Sequence, residues 1–374
     1  MRIALVGPYP EERGRIGGGV EAGFVNLVDG LVSLGGDELH VVTLTHAAAS
    51  SSETAGSGVH VHRLASPRRL NNLTFYRSTR RALSALLDEL RPDVVHAQDA
   101  LGYGYVCLKA SRSVPVVVTV HGIVRETRKA LTRPRDRLQA SLAGVAVERY
   151  CIRHAPHLLQ STPYPGEYFD GEIRGRIVDI PNAASERFFA LEPAPEAGRV
   201  VFAGVVGRGK RVVDLVEAVA RVPAASVRIA GPMPDAEYAR ELADRVQALR
   251  LAGRVELLGS LATEELTEEF RRASVLVLPS QQETSPFVIA EAMAAALPVV
   301  ATRVGGIPHL VDDGRTGFVV DVGDVDALAQ RVSELVDDEA RRRSFAAAAR
   351  AAAQEFRPAA VAARVRSVYD EVVG

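Results

Sequence analysis

Val275-Leu276-Val277-Leu278 is a short apolar run, Glu283-Thr284-Ser285-Pro286-Phe287-Val288-Ile289-Ala290-Glu291 an acidic loop passing into a helical pattern, and Pro298-Val299-Val300-Ala301 a second apolar run. Strand, helix and strand in that order make a parallel βαβ unit. Ser285-Pro286 reads as N-cap and first helical residue, so a helix starts just after Glu283 and carries Glu291 near its second turn. The helix start then lies between two carboxylates roughly 9–13 Å apart, at 1.5 Å of rise per helical residue and more in the loop. That separation suits a nucleotide sugar, with one carboxylate accepting hydrogen bonds from sugar hydroxyls and the other from ribose hydroxyls. A diphosphate between them meets the helix start at Ser285, Pro286, Phe287 and Val288. The alternative for each Glu is a solvated carboxylate beside an ordinary cap.

The same alternation extends in both directions. Strands near 199–203, 226–230, 254–258, 275–278 and 298–301 interleave with helices near 211–221, 235–250, 263–272 and 287–296. Earlier, strands near 2–6, 39–45, 59–64, 93–96, 115–120 and 177–180 accompany helical patterns near 20–34, 73–90, 100–112 and 135–154. This predicts an α/β protein with two doubly wound, Rossmann-like sheets, and 374 residues are enough for both. The proline-rich stretch from Leu191 to Gly198 reads as a linker. We therefore expect one Rossmann-like domain over 1–190, a second over 191–357 and a final helix over 358–374 that returns to the first domain. Ligands of open α/β sheets sit outside the carboxyl ends of the strands, so the two domains are expected to face a central cleft. Residues 47–58, almost all small or polar, read as a mobile surface loop.

Composition narrows the function. With 47% hydrophobic residues, 24% charged and a net charge of −1, the chain can bury large cores. Residues 1–190 carry 23 Lys and Arg against 19 Asp and Glu, an excess too small for a nucleic-acid binder. Cys107 and Cys151 stand far apart, which excludes a disulfide framework or zinc cluster and predicts two buried thiols. The opening apolar run stops at Gly7-Pro8, too short for a signal peptide, and no stretch approaches a membrane span. A cytoplasmic protein is expected.

Two glycine-bearing loops resemble phosphate binders without matching a known motif in full. Gly17-Gly18-Gly19-Val20-Glu21 opens a helical pattern, but it begins ten residues beyond the first strand, and Thr45-His46 stands where a dinucleotide site needs an acid. Gly204-Val205-Val206-Gly207-Arg208-Gly209-Lys210-Arg211 has Arg211 where a P-loop needs a magnesium-binding hydroxyl, which argues against a triphosphatase. It still offers Arg208 and Lys210 beside a helix start, which suits a diphosphate held without metal. Lys210 is one of only three lysines against 42 arginines, which marks the choice of Lys there. His121 ends the buried run Val116-Val117-Val118-Thr119-Val120, at the carboxyl edge of a sheet. Asp324-Val325-Asp326 precedes a helical pattern and reads as an N-cap rather than a metal site.

Taken together, Glu283 to Glu291, Gly17 to Glu21, Thr119-Val120-His121-Gly122, Asp179-Ile180-Pro181-Asn182 and Ala301 to Pro308 resemble the retaining GT-B glycosyltransferases, most closely glycosyltransferase family four. The resemblance implies that Glu283 contacts the donor sugar, Glu291 the ribose, Lys210 the diphosphate and His121 the sugar or reaction centre, with Gly18 and Gly19 also on the donor side. Gly19, Glu21, His121 and Arg125 would meet the acceptor. His121, Glu283 and Lys210 would carry catalysis: metal-independent transfer, with retained configuration, from a UDP- or GDP-sugar to a hydroxyl of a glycan, lipid or small molecule. Three positions depart from the family pattern: Val205 replaces a usual arginine, Gln98 a frequent histidine, and His309 a common acid.

Arg125, Arg128, Lys129, Arg133, Arg135 and Arg137 form a basic segment just beyond His121. It would suit a phosphorylated acceptor or peripheral contact with an anionic membrane, with a solvated helix face as the alternative. A non-catalytic nucleotide-sugar-binding or scaffold protein of the same fold is the alternative function.

Overall fold

A computed structural model describes residues 1–11, 17–45, 47, 49–66, 76–130 and 143–374. The chain divides into two compact units, one made of Met1–Glu11, Val20–Ala183 and Pro358–Gly374, the other of Glu12–Gly19 and Ala184–Arg357.

The first unit is built on eight strands: β1 (Arg2–Val6), β2 (Glu38–Thr45), β3 (Ser51–Thr54), β4 (His60–Ala65), β5 (Val94–Ala97), β6 (Val116–Val120), β7 (His157–Gln160) and β8 (Arg176–Asp179). Their order is β3-β4-β2-β1-β5-β6-β7-β8, and all neighbours run parallel except β3 against β4. β5 and β6 are buried along their whole length, as parallel strands covered on both faces must be, and their Val-rich sequences follow from it. The helix Pro358–Val373 belongs to this unit, with Val361, Ala362, Val365, Val368 and Tyr369 in its core. Gly30 admits that helix, because a Cβ there would lie 2.2 Å from the Pro358 carbonyl oxygen. Tyr369, fully buried, places its hydroxyl 2.5 Å from His96 Nδ1 on β5.

The second unit holds β9 (Arg199–Ala203), β10 (Ser226–Ala230), β11 (Val255–Gly259), β12 (Val275–Leu278), β13 (Val299–Thr302) and β14 (Gly317–Val320). Here the order is β11-β10-β9-β12-β13-β14, all parallel, which is the doubly wound order with a reversal between β9 and β12.

Several expectations are corrected. Within the stretch read as a mobile loop, Ser51–Thr54 forms β3; it is exposed throughout, so no apolar alternation announced it. Cross-strand pairing holds it, with Ser52 Oγ 2.9 Å from His62 Nδ1 and Thr54 Oγ1 3.1 Å from His60 Nδ1. The four-residue strands β7 (His157-Leu158-Leu159-Gln160) and β14 (Gly317-Phe318-Val319-Val320) were also missed. The boundary between units falls at Ala183/Ala184 rather than 190, because Phe188 and Phe189 of the short helix Glu186–Phe189 are buried in the second core. The helix expected after Glu283 spans Phe287–Ala294 with Pro286, not Ser285, as its N-cap, since Pro286 is extended at ψ 117°. Both cysteines are buried.

Candidate active site

In the second unit the site grows from the sheet's switch point, where helices leave to opposite faces and the strand ends open a crevice. Lys210 lies in the loop after β9 and Glu283 in the loop after β12, the two strands that flank the reversal. A backbone hydrogen bond from Gln281 N to Gly209 O, 2.8 Å, fastens one loop to the other. Across it the Lys210 ammonium forms an ion pair with Glu283 Oε1.

That carboxylate is positioned from behind. Ser280, fully buried, donates from Oγ to Glu283 Oε1 at 2.7 Å, and Thr302 Oγ1 at the end of β13 donates to the Ser280 carbonyl at 2.5 Å. Glu283 itself is only 8% exposed. Lys210 and Ser280 thus both donate to the same oxygen, Oε1. Sequence reasoning missed Ser280 and Thr302, since a serine in a loop and a threonine ending a strand carry no signal of their own.

Glu291 sits one turn into the helix Phe287–Ala294, and burial pushes its carboxyl up to about 7. The folded value exceeds the unfolded 4.5, so the native state binds the extra proton. This group's stabilising contribution is therefore complete below 4.5 and is lost as pH rises through 7. Glu291→Gln is expected to remove that slope from the stability profile, measured by thermal unfolding across pH 4.5–8.

The other sequence candidates fall into two groups. Gly19 opens the helix Gly19–Leu34 and clusters with the second unit, where a Cβ on it would come within 2.9 Å of the Phe287 ring and displace it. Gly18 is exposed beside it. Pro286 is buried, Ser285 is 7% exposed, and Phe287 and Val288 form the half-buried first turn. Arg208 does not accompany Lys210 as expected. It pairs with Glu241 at 2.6 Å and lies 3.5 Å from Glu237 and 3.8 Å from Asp235, at the start and on the face of the helix Ala236–Ala248. With three carboxylates around it, Arg208 is held by that helix. Val205 is 48% exposed in the same loop. The Asp-x-Asp stretch is occupied in helix structure: Asp324 Oδ1 accepts from Ala327 N at 2.9 Å, and Asp326 pairs with Arg221.

In the first unit, His121 follows β6 and Gln98 follows β5, with 3.3 Å between His121 Nε2 and Gln98 Oε1. Burial pushes the imidazole down to about 4, so His121 is neutral at physiological pH. Glu148, 1% exposed, accepts from the backbone N of Val124 at 2.5 Å and thereby fixes the chain just beyond His121. Arg125 is turned onto two carboxylates. It binds both oxygens of Glu172 and approaches Glu148 at 3.2 Å, which offsets the burial of that acid. Glu21 is half-buried in the first turn of Gly19–Leu34. Of the basic segment, Arg133, Arg135 and Arg137 lie outside the described residues. Among the described residues no helix is long and apolar enough to cross a membrane.

Comparison with known proteins identifies the family and the fold. The sequence profile for Glycosyl transferases group 1 matches residues 185–352, and that for the Glycosyl transferase 4-like domain matches residues 18–183. An uncharacterized glycosyltransferase of Methanocaldococcus jannaschii is 24% identical over 95% of both chains. The sucrose-phosphate synthase of Thermosynechococcus elongatus superposes with a TM-score of 0.81 at 21% identity, covering 99% of this chain and 98% of that one. Anabaena HepE, solved in complex with UDP-glucose, superposes with a TM-score of 0.75 at 18% identity, covering 99% and 100%. The chain belongs to the glycosyltransferases of GT-B fold and family-four type, and it is an enzyme of the hexosyltransferase class.

Proposed function

We propose that the enzyme transfers a hexose from a UDP- or GDP-sugar to a hydroxyl of a glycan, lipid or small-molecule acceptor, with retention at the anomeric carbon and without a metal ion. The Lys210–Glu283 pair at the switch point of the second sheet carries this reading. Breaking the bond to the anomeric carbon leaves negative charge on the departing phosphate and positive charge on the sugar. Lys210 and the first-turn amides of Phe287–Ala294 are fixed donors for the phosphate, and preorganised donors need little rearrangement as charge develops. Glu283 accepts from the sugar hydroxyls through Oε2, Glu291 from the ribose, and His121 contacts the reacting sugar. The leaving phosphate takes the acceptor proton on the face it vacates, which gives retention. HepE's complex with UDP-glucose supports a diphosphate-sugar donor.

Thermal-shift measurements with uridine, guanosine and adenosine diphosphate sugars test the reading. One base should raise the melting temperature, and release of its nucleoside diphosphate should follow. No shift with any of them would contradict it.

The exposed Val205 offers a gain-of-function check. Val205→Arg adds a cation at the loop without disturbing the core, and calorimetry should show the nucleoside diphosphate bound roughly three- to tenfold more tightly.

A further inference from the structure

We infer that Gln98 is a positioning residue that holds His121 in one tautomer, with the proton on Nε2 and the lone pair on Nδ1. The consequence for catalysis rests on the proposed contact between His121 and the reacting sugar; the tautomer itself does not.

Gln98 continues β5, its backbone N donating to Val6 O at 2.9 Å, and its side chain is 2% exposed. Gly7, after β1, makes room for it, because a Cβ there would lie 2.6 Å from Gln98 Cβ. The amide is thus wedged at the first sheet's own switch point, between His96 and His121. Its Nε2 stands 3.3 Å from both ring nitrogens of His96. Equidistant from the two, it lies over the ring rather than on either lone pair. Both nitrogens already have partners, Tyr369 OH at 2.5 Å and Thr119 Oγ1 at 2.7 Å. The negative face of an aromatic ring attracts an N–H and repels a carbonyl oxygen, so the amide cannot favourably flip. Its oxygen therefore faces His121, and a carbonyl oxygen only accepts. His121 must carry its proton on Nε2, which makes Nδ1 the nitrogen able to accept a hydroxyl hydrogen. His96 adds no competing charge, since burial holds it at about 3.

The test uses full-length protein with 15N-labelled histidine, the His121 resonances being those lost in His121→Gln. At pH 7.5 the wild type should show a protonated Nε2 and an unprotonated Nδ1. Gln98→Leu, which removes the acceptor, should give averaged shifts of mixed tautomers and about tenfold lower turnover at every pH, the loss of one aligned hydrogen bond. Gln98→Glu keeps an acceptor oxygen and adds charge. It should retain the Nε2 proton, raise the His121 midpoint above its value of about 4, and restore turnover only above the new midpoint. An Nδ1 proton in the wild type, an unchanged tautomer in Gln98→Leu, or an unmoved midpoint in Gln98→Glu would overturn the inference. If Gln98→Leu fails to fold, the midpoint in Gln98→Glu decides alone. Wild-type turnover in His121→Ala would instead remove the proposed sugar contact and leave the tautomer assignment standing.

Discussion

Glu283→Gln is expected to lower kcat/KM for transfer about a hundredfold while leaving the melting temperature within a few degrees of wild type. Glutamine keeps the shape of the side chain and an oxygen for the Ser280 hydroxyl, so the loop after β12 stays in place. The negative charge is lost, and with it the charge-assisted hydrogen bonds to the sugar, each worth roughly 1.5–3 kcal/mol. Lys210 also loses its anchor and samples orientations away from the phosphate. Steady-state kinetics with the preferred donor measures the effect, and a loss below threefold would remove Glu283 from the sugar site.

Lys210→Ala should be more damaging, with turnover down roughly 10²–10³-fold, the range seen when one fixed donor to a developing anion is removed. The reasoning differs from that for Glu283. Arg208 is held by Glu241, Glu237 and Asp235, and Arg211 pairs with Asp214 at 2.7 Å, so neither neighbouring cation is placed to take over. Ground-state affinity should fall less than turnover, because charge on the bridging phosphate oxygen grows as the bond breaks. Lys210→Arg should recover part of the loss, and full activity in Lys210→Ala would show that the diphosphate is held elsewhere.

The parts legible in the sequence share a physical cause. Buried parallel strands are short runs rich in Val and other apolar residues, which is why β5, β6, β9 and β12 stood out, whereas exposed β3 is polar throughout and is held by its partner strand. Lys210 and Glu283 were legible because each stands at a strand-to-helix loop in a residue type that the surroundings do not explain. Their meeting was not, nor was the support from Ser280 and Thr302, since a hydroxyl declares a partner only when the fold brings one. Arg208 and Arg125 show the same limit from the side of charge. Sequence gives the charge of a side chain but not the acids that will face it, and here those lie 27 to 33 residues away for Arg208 and 23 and 47 away for Arg125.

The claim that the second sheet's switch point grips the donor is tested most directly by hydrogen exchange, with and without the diphosphate sugar that gives the largest thermal shift. Amides in 207–212 and 285–291 should exchange more slowly in its presence, and this protection should vanish in Lys210→Ala. Protection confined to other strand ends, with those two loops unchanged, would contradict the account.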